Sequence, residues 1–167
     1  SCKPKALQML AGRPLIEHIL STLDAASIDE VIIIHSPEAK KDLKQETTAR
    51  ENITYVEQTE ALGTAHALKA ALPYVTTDNV LVLLGDVPLL SQPTINKLKE
   101  ETQNNDLVVL VGTVNEPSGY GRINKDDSGK PMAIIEELDC NDEQRKIKEI
   151  NSGIMAFKTN VARNLVD

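Results

Sequence analysis

Asp86 is the side chain in this sequence best set up to hold a metal-bound phosphate. It follows Gly85 at the end of an apolar run, Val80-Leu81-Val82-Leu83-Leu84, and stands before Val87-Pro88. Mg2+ takes one or two protein carboxylates and completes its shell with phosphate oxygens and water, and a neighbouring glycine lets the backbone come close. A carboxylate there also suits a plainer job, capping a turn or the next helix. Gln58 ends another apolar stretch, and its amide donates and accepts at once, as a base edge requires. Gly63-Thr64 opens a helix-forming run, where free backbone N–H groups favour an acceptor or an anion; a simple helix cap has the same composition. Gly119-Tyr120-Gly121 marks either a bend or a close approach to a ligand. Glu136 and Asn151, a carboxylate and an amide, can together bind sugar hydroxyls, which need donors and acceptors, while each alone reads as a surface group. Lys5 is the candidate phosphate contact, against the commoner fate of a lysine in solvent.

The elements that must position these residues alternate along the first part of the chain. Leu15, Ile16, Ile19, Leu20 and Leu23 recur at helical spacing behind Pro14 and predict an amphipathic helix over 14–26. Val31-Ile32-Ile33-Ile34 predicts a buried strand. Ser36 is set to cap a helix running to about Arg50. Ile53 to Gln58 predicts a strand, and a helix follows Thr64 to near Pro73. Val80 to Leu84 predicts a strand buried on both faces, and another helix runs from Ser91-Gln92-Pro93 to near Gln103. Such alternation predicts a mostly parallel sheet flanked by helices, and ligands in these sheets bind beyond the carboxyl ends of the strands. After Asp106 strands dominate: 107–113, a glycine-punctuated 119–123, 131–137, and 149–157 interrupted at Asn151-Ser152-Gly153. Helix resumes near Thr159. The expected architecture is one α/β domain whose later strands extend the sheet over a ligand.

Composition narrows the function. With 18 Lys and Arg against 25 Asp and Glu the net charge is −7, which argues against general nucleic-acid binding. A polyanionic ligand would then need placed cations and a divalent metal to overcome the overall field. Aromatics make up 2% and Trp is absent, so aliphatic side chains must fill the core. Cys2 and Cys140 lack metal-ligand spacing and fit a reducing cytoplasm. No run is long enough to span a membrane, and no secretory leader is visible. A Ser/His/Asp order, HExxH, CxxC and a Walker A loop are all missing, which leaves hydrolase, zinc and P-loop readings without support. The chain opens without Met and ends inside a predicted helix, so both ends read as cuts in a larger protein.

Taken in order, the segments resemble a known family. They are Pro4-Lys5 with Leu10-Ala11-Gly12-Arg13-Pro14, Glu57-Gln58, Leu62-Gly63-Thr64-Ala65-His66-Ala67, Gly85-Asp86-Val87-Pro88-Leu89, Ser118-Gly119-Tyr120-Gly121-Arg122-Ile123, Ile135-Glu136 and Glu149-Ile150-Asn151-Ser152-Gly153-Ile154. This series resembles the pyrophosphorylase domain of the bacterial bifunctional N-acetylglucosamine-1-phosphate uridyltransferase/glucosamine-1-phosphate acetyltransferase. Each motif is modest alone, and their common order over nearly the whole chain makes the resemblance specific. Asp142-Glu143-Gln144-Arg145 also resembles this branch more than other sugar nucleotidyltransferases.

The resemblance implies a Rossmann-like nucleotide-diphospho-sugar transferase fold, with 1–167 a single nucleotidyltransferase domain truncated at both ends. It implies a cytoplasmic enzyme that forms UDP-N-acetylglucosamine and pyrophosphate from UTP and N-acetylglucosamine 1-phosphate, for cell-envelope precursors. Mg2+ would be the cofactor. Lys5 would contact phosphate, and Gln58, Gly63 and Thr64 would read the uracil. Asp86 would hold Mg2+, with Leu84 and Gly85 lining the nucleotide pocket; some relatives have Tyr where Leu84 stands. Gly121, Glu136 and Asn151 would hold the N-acetylglucosamine. The family also has a central first strand with a glycine-rich loop ahead of the Pro-Lys pair, and a second Mg2+ ligand, an Asn, expected beyond residue 167. Its left-handed β-helix carries acetyl transfer and makes the full-length family a homotrimer. Two alternatives stand beside this reading. One is a nucleotide-sugar-binding chain without turnover; the other is a relative using another sugar or base, such as glucose 1-phosphate or CTP.

Overall fold

The computed structural model describes residues 4–28, 30–47, 50–60 and 62–166. Lys5–Leu7 forms a single 3-10 turn pinned by Leu7, which is fully buried. Burying one leucine is worth about 2 kcal/mol, enough to fix this turn while Lys5 stays in solvent. β1 (Met9–Leu10) and β2 (Arg13–Pro14) follow as a small antiparallel hairpin. Ala11 and Gly12 turn it at φ 50° and 80°, the paired positive φ of a two-residue hairpin loop. Pro14 leads into α1 (Leu15–Ala25), which buries Ile16, Ile19, Leu20 and Leu23 at the predicted spacing.

β3 (Val31–His35) and β4 (Ile53–Glu57) pair in parallel, Val31 beside Ile53 and His35 beside Glu57. The helix expected between them, from Ser36 to Arg50, is shorter: a 3-10 turn, Pro37–Ala39, and then α2 (Lys40–Glu46). Ser36 makes no side-chain cap bond. Leu43 is the one buried residue of α2, so little packing supports a longer helix. α3 (Thr64–Ala71) and a 3-10 turn, Leu72–Tyr74, lead to β5 (Asn79–Val82). α4 (Gln92–Thr102) follows, capped by Ser91, whose Oγ accepts from Thr94 N at 3.4 Å.

β9 (Glu149–Lys158) is the spine of the second sheet. It pairs antiparallel with β5 through Met155 to Lys158, and with β6 (Leu107–Thr113) through most of its length. Met155, Ala156 and Phe157 face both strands, so β5 and β6 occupy opposite edges of β9. Ile150 pairs with Gly112 of β6 and with Arg122 of β7 (Arg122–Lys125), which places β7 on the same edge as β5. β8 (Pro131–Ile135) continues antiparallel from β7. α5 (Thr159–Val166) packs on α3. On one edge of β9, then, β5 stops opposite Met155 and β7 begins opposite Ile150. The gap between them, along 151–154, is where Leu84 meets Gly153 and Gly121 meets Asn151.

Among the described residues β3 and β4 are the parallel pair, every pair in the β9 sheet is antiparallel, and helices pack on both faces of the strands. Val31, Ile33, Leu81 and Leu83 pack toward α1 and α4, while Ile32, Val80 and Val82 pack toward α3 and α5. β3 and β5 thus share one layer, yet they are not hydrogen-bonded to each other among the described residues. Two further expectations need correction. The central apolar run is packed on both faces but half-buried, and its ladder ends at Val82, so Leu83 and Leu84 lie past the strand. Residues 119–121 are turn rather than strand, and β7 starts at Arg122. Asn151-Ser152-Gly153 does interrupt the β6–β9 ladder, as expected, although β9 continues past it. Val109 pairs with Met155 and Val111 with Asn151, so the extra residues lie in β9, where Gly153 has φ +76° and Ser152 Oγ donates to Leu110 O at 2.6 Å.

Candidate active site

Two groups of candidates meet at the open edge of β9. In the first, Gly85 brings the Leu84–Asp86 turn against the Lys5 turn; a Cβ on Gly85 would stand 3.3 Å from Ala6 Cβ. Lys5 Nζ lies 3.8 Å from Asp86 Oδ2, with the two side chains 79% and 43% exposed. So exposed a pair contributes at most about 1 kcal/mol, so it is a weak tie that a ligand can replace. Asp86 does not cap α4, which takes its cap from Ser91.

The second group is Gly121, Glu136 and Asn151. Asn151 N donates to Gly121 O at 2.8 Å, tying the turn after Pro117 to β9. Asn151 Oδ1 accepts from Gly153 N at 3.0 Å, and its Nδ2 has no partner among the described residues. Gly121 lies directly against Glu136: a Cβ there would be 3.1 and 3.3 Å from the two carboxylate oxygens and 3.0 Å from Ile134 Cγ2. Glu136 is exposed, with no ion-pair partner among the described residues. Gly119, at φ +86°, makes the turn itself. Gly119 thus makes the bend, and Gly121 makes a close approach to the Glu136 side chain. Leu84 joins the two groups, because a Cβ on Gly153 would fall 2.7 Å from Leu84 Cδ1.

The third group, Gln58, Gly63 and Thr64, stands at the carboxyl end of β4. Gln58 N donates to His35 O at 2.8 Å, and its Nε2 lies 2.9 Å from His66 Nδ1 and 3.4 Å from Gly63 O. These contacts hold the amide against the first turn of α3. Gly63 precedes that helix at φ +89°, a conformation that favours glycine, and Thr64 is its first residue. Thr64 and Gly63 are both exposed.

Sequence reasoning gave no role to three neighbours of these residues. His66 orients Gln58. Arg122, 1% exposed, donates from Nη2 to Glu137 Oε2 at 2.7 Å and from Nη1 to Tyr120 O; its Nε has no partner among the described residues. Glu137 Oε2 also accepts from Gly119 N at 2.9 Å. The Arg122 hydrogen bond, and next the Gly119 N–H, hold the Glu137 carboxyl below the usual glutamate range. The signal available in the sequence was the doubled carboxylate Glu136-Glu137 at a strand end. No group of three or more metal-ligating side chains occurs among the described residues. A metal here would rest on Asp86, one hard carboxylate beside a close-lying glycine, with the other ligands left to phosphate and water, and that donor chemistry fits Mg2+. Open grooves lie elsewhere, one of about 380 Å³ between α4 and β6 and another around Thr76–Asn79 and Arg163, and no candidate residue lines either.

The chain belongs to the MobA-like NTP transferase domain family, whose profile matches residues 2–146. It is a nucleotidyltransferase. It is 44% identical over 163 residues to the N-terminal, pyrophosphorylase-containing part of the bifunctional protein GlmU of Francisella tularensis subsp. novicida (strain U112), covering 96% of this chain. The same identity and coverage hold for GlmU of Francisella tularensis subsp. tularensis (strain WY96-3418). The chain spans 35% of the length of each. Among solved structures, one from Bacillus anthracis, named for glucose-1-phosphate thymidylyltransferase and holding sucrose, superposes with a TM-score of 0.81 at 24% identity, over 96% of this chain and 65% of that one. HddC from Yersinia pseudotuberculosis gives 0.75 at 20% identity, over 98% and 72%. These two share the fold. No described helix is long and apolar enough to cross a membrane.

Proposed function

We propose that the chain carries the uridylyl-transfer site that forms UDP-N-acetylglucosamine and pyrophosphate from UTP and N-acetylglucosamine 1-phosphate. One observation carries this reading: Leu84 and Gly153 pack a phosphate-and-metal end, Lys5 and Asp86, against a hydroxyl-reading end, Gly121, Glu136 and Asn151. A sugar 1-phosphate lying along β9 would reach both. The 44% identity to GlmU supports the same choice of sugar and base.

In the reaction a phosphate oxygen of the sugar attacks the α-phosphorus of UTP in line. One P–O bond forms, the bond to the β-phosphate breaks, and pyrophosphate leaves with its electron pair. The attacking phosphate is already ionised at neutral pH, so no general base is required. Asp86 would hold a Mg2+ ion, which when bound supplies neutralisation of the triphosphate charge. Lys5 adds a cation on the same side. Gln58, with Gly63 and Thr64, presents a fixed amide and free helix N–H groups to the uracil. Glu136 and Asn151 accept from and donate to the sugar hydroxyls and its amide. Catalysis then rests on positioning and on placed charge. On this reading the product serves cytoplasmic synthesis of cell-envelope precursors.

Asp86→Ala should lose metal-dependent turnover; near-parent activity in that variant would remove the metal role. A second reading, binding of the nucleotide sugar without turnover, is favoured by the divided layer between β3 and β5. We read 1–167 as one nucleotidyltransferase domain whose sheet a further strand between β3 and β5 would complete. Tight UDP-N-acetylglucosamine binding with no pyrophosphate release would favour that second reading.

A further inference from the structure

The buried Arg122 is the feature that the reaction does not use, and it sits in the wall of the sugar end. It opens β7 at the junction where β7, β8 and β9 meet, opposite Ile135 on one side and Ile150 on the other. A guanidinium with 1% exposure must be paired or it destabilises its surroundings strongly. Its anion is Glu137, and the pairing is geometrically economical. One oxygen, Oε2, takes both the Arg122 Nη2–H at 2.7 Å and the Gly119 N–H at 2.9 Å. The Arg122 Nη1 meanwhile holds Tyr120 O. Gly119 and Arg122 are thereby fixed directly to Glu137, the residue next to Glu136, and Tyr120 is fixed through Arg122. Gly121 has no freedom left: it faces Glu136 on one side and accepts from Asn151 N on the other.

We propose that Glu137, acting with Arg122, is a positioning residue for the sugar end of the site, setting the distance between Gly121, Glu136 and Asn151. This rests on the proposed sugar-phosphate reading of those three residues. Neither side chain touches substrate; both act through the turn they hold. The clamp ties only this end, so it governs the sugar phosphate and leaves the nucleotide alone.

The test is the steady-state kinetics of Glu137→Ala and Glu137→Gln. Glu137→Ala should raise KM for N-acetylglucosamine 1-phosphate about tenfold or more, as loss of one charge-assisted hydrogen bond would, while KM for UTP and saturated kcat stay within about twofold. Glu137→Gln keeps a single oxygen that can accept both donors and should recover most of the parent KM. A KM unchanged in Glu137→Ala, equal rises for both substrates, or a Gln variant as impaired as Ala would each overturn the clamp. If Glu137→Ala does not fold, Glu137→Asp, which withdraws the carboxylate by one methylene, replaces it under the same criteria. A parent protein that turns over no sugar 1-phosphate defeats the proposed function and not the clamp, which is then judged by amide exchange. Faster exchange in Glu137→Ala at residues 119–122 and 149–151, with α1 and β3 unchanged, supports it. No change there, or a uniform rise, overturns it.

Discussion

Gly153→Ala probes the seam between the two ends of the site. Gly153 has φ +76°, and a Cβ there would stand 2.7 Å from Leu84 Cδ1 and 3.4 Å from its Cγ. Left-handed φ costs a residue with a side chain about 1–2 kcal/mol. The clash adds less than the distance suggests, because Leu84 Cδ1 is the far end of a flexible, half-buried side chain. Turning it off its rotamer costs about 0.5–1.5 kcal/mol. Urea unfolding should therefore register a loss of about 2–3 kcal/mol. The displaced Leu84 stands next to Gly85 and Asp86, so KM for UTP should rise together with the loss of stability. The decisive assay is a double-mutant cycle with Leu84→Ala. With Leu84 shortened, the substitution at Gly153 should cost only the backbone component, about 1–2 kcal/mol, and its effect on KM should vanish. A cost and a KM shift that are the same in both backgrounds would refute the idea that Leu84 and Gly153 pack the two ends together.

Three further outcomes follow from the same geometry. Gly121→Ala would press a methyl to 3.1 Å from the Glu136 carboxylate, so KM for the sugar phosphate should rise with little change in KM for UTP, as measured by initial rates. Gly63→Ala meets no atom within 4 Å, so its cost is the φ of +89° alone, about 1–2 kcal/mol in urea unfolding, with no added packing loss. Glu137 has its folded pKa lowered by Arg122 and the Gly119 N–H, with Arg145 Nε a further 3.9 Å cation. Its contribution is therefore present above the unfolded pKa and lost as pH falls through the lower folded value. The Gly119 amide should stay protected from exchange at about pH 4.3, where unperturbed glutamates protonate, and lose protection only in stronger acid.

What the sequence reveals depends on whether the reason for a structure is local. Val31-Ile32-Ile33-Ile34 is legible because β-branched side chains bias their own backbone, and β3 forms there. The α1 stripe is legible because its burial follows its own period. Asn151-Ser152-Gly153 is legible as a break because those residue types resist a regular strand, and the β6–β9 ladder bulges there on the β9 side. That β9 resumes pairing beyond it depends on its partner strands, which the motif does not carry. Ser36 misleads, offering a cap where a 3-10 turn and sparse packing leave α2 short. Within the site, Gly63 and Asp86 stand out by composition; Gly63 sits among its own neighbours, while Asp86 meets Lys5 from the other end of the chain, which no local pattern announces. The clamp of Arg122, Glu137 and Gly119 is not legible, since it depends on a strand pairing that brings residues 15 and 18 positions apart into contact. Likewise the gap on the edge of β9 exists only because β5 and β7 share that edge, a fact of topology with no motif of its own.

The measurement that bears most directly on the proposed reaction is pyrophosphate release by the purified protein with Mg2+ and UTP. N-acetylglucosamine 1-phosphate and glucose 1-phosphate would be offered in parallel, with an Asp86→Ala sample and a metal-free sample beside them. Uridylyl transfer at this site predicts release with the N-acetylated sugar phosphate, strong preference over glucose 1-phosphate, and loss in both controls. Equal release with the two sugars, or release that survives removal of Asp86 and of the metal, would contradict it.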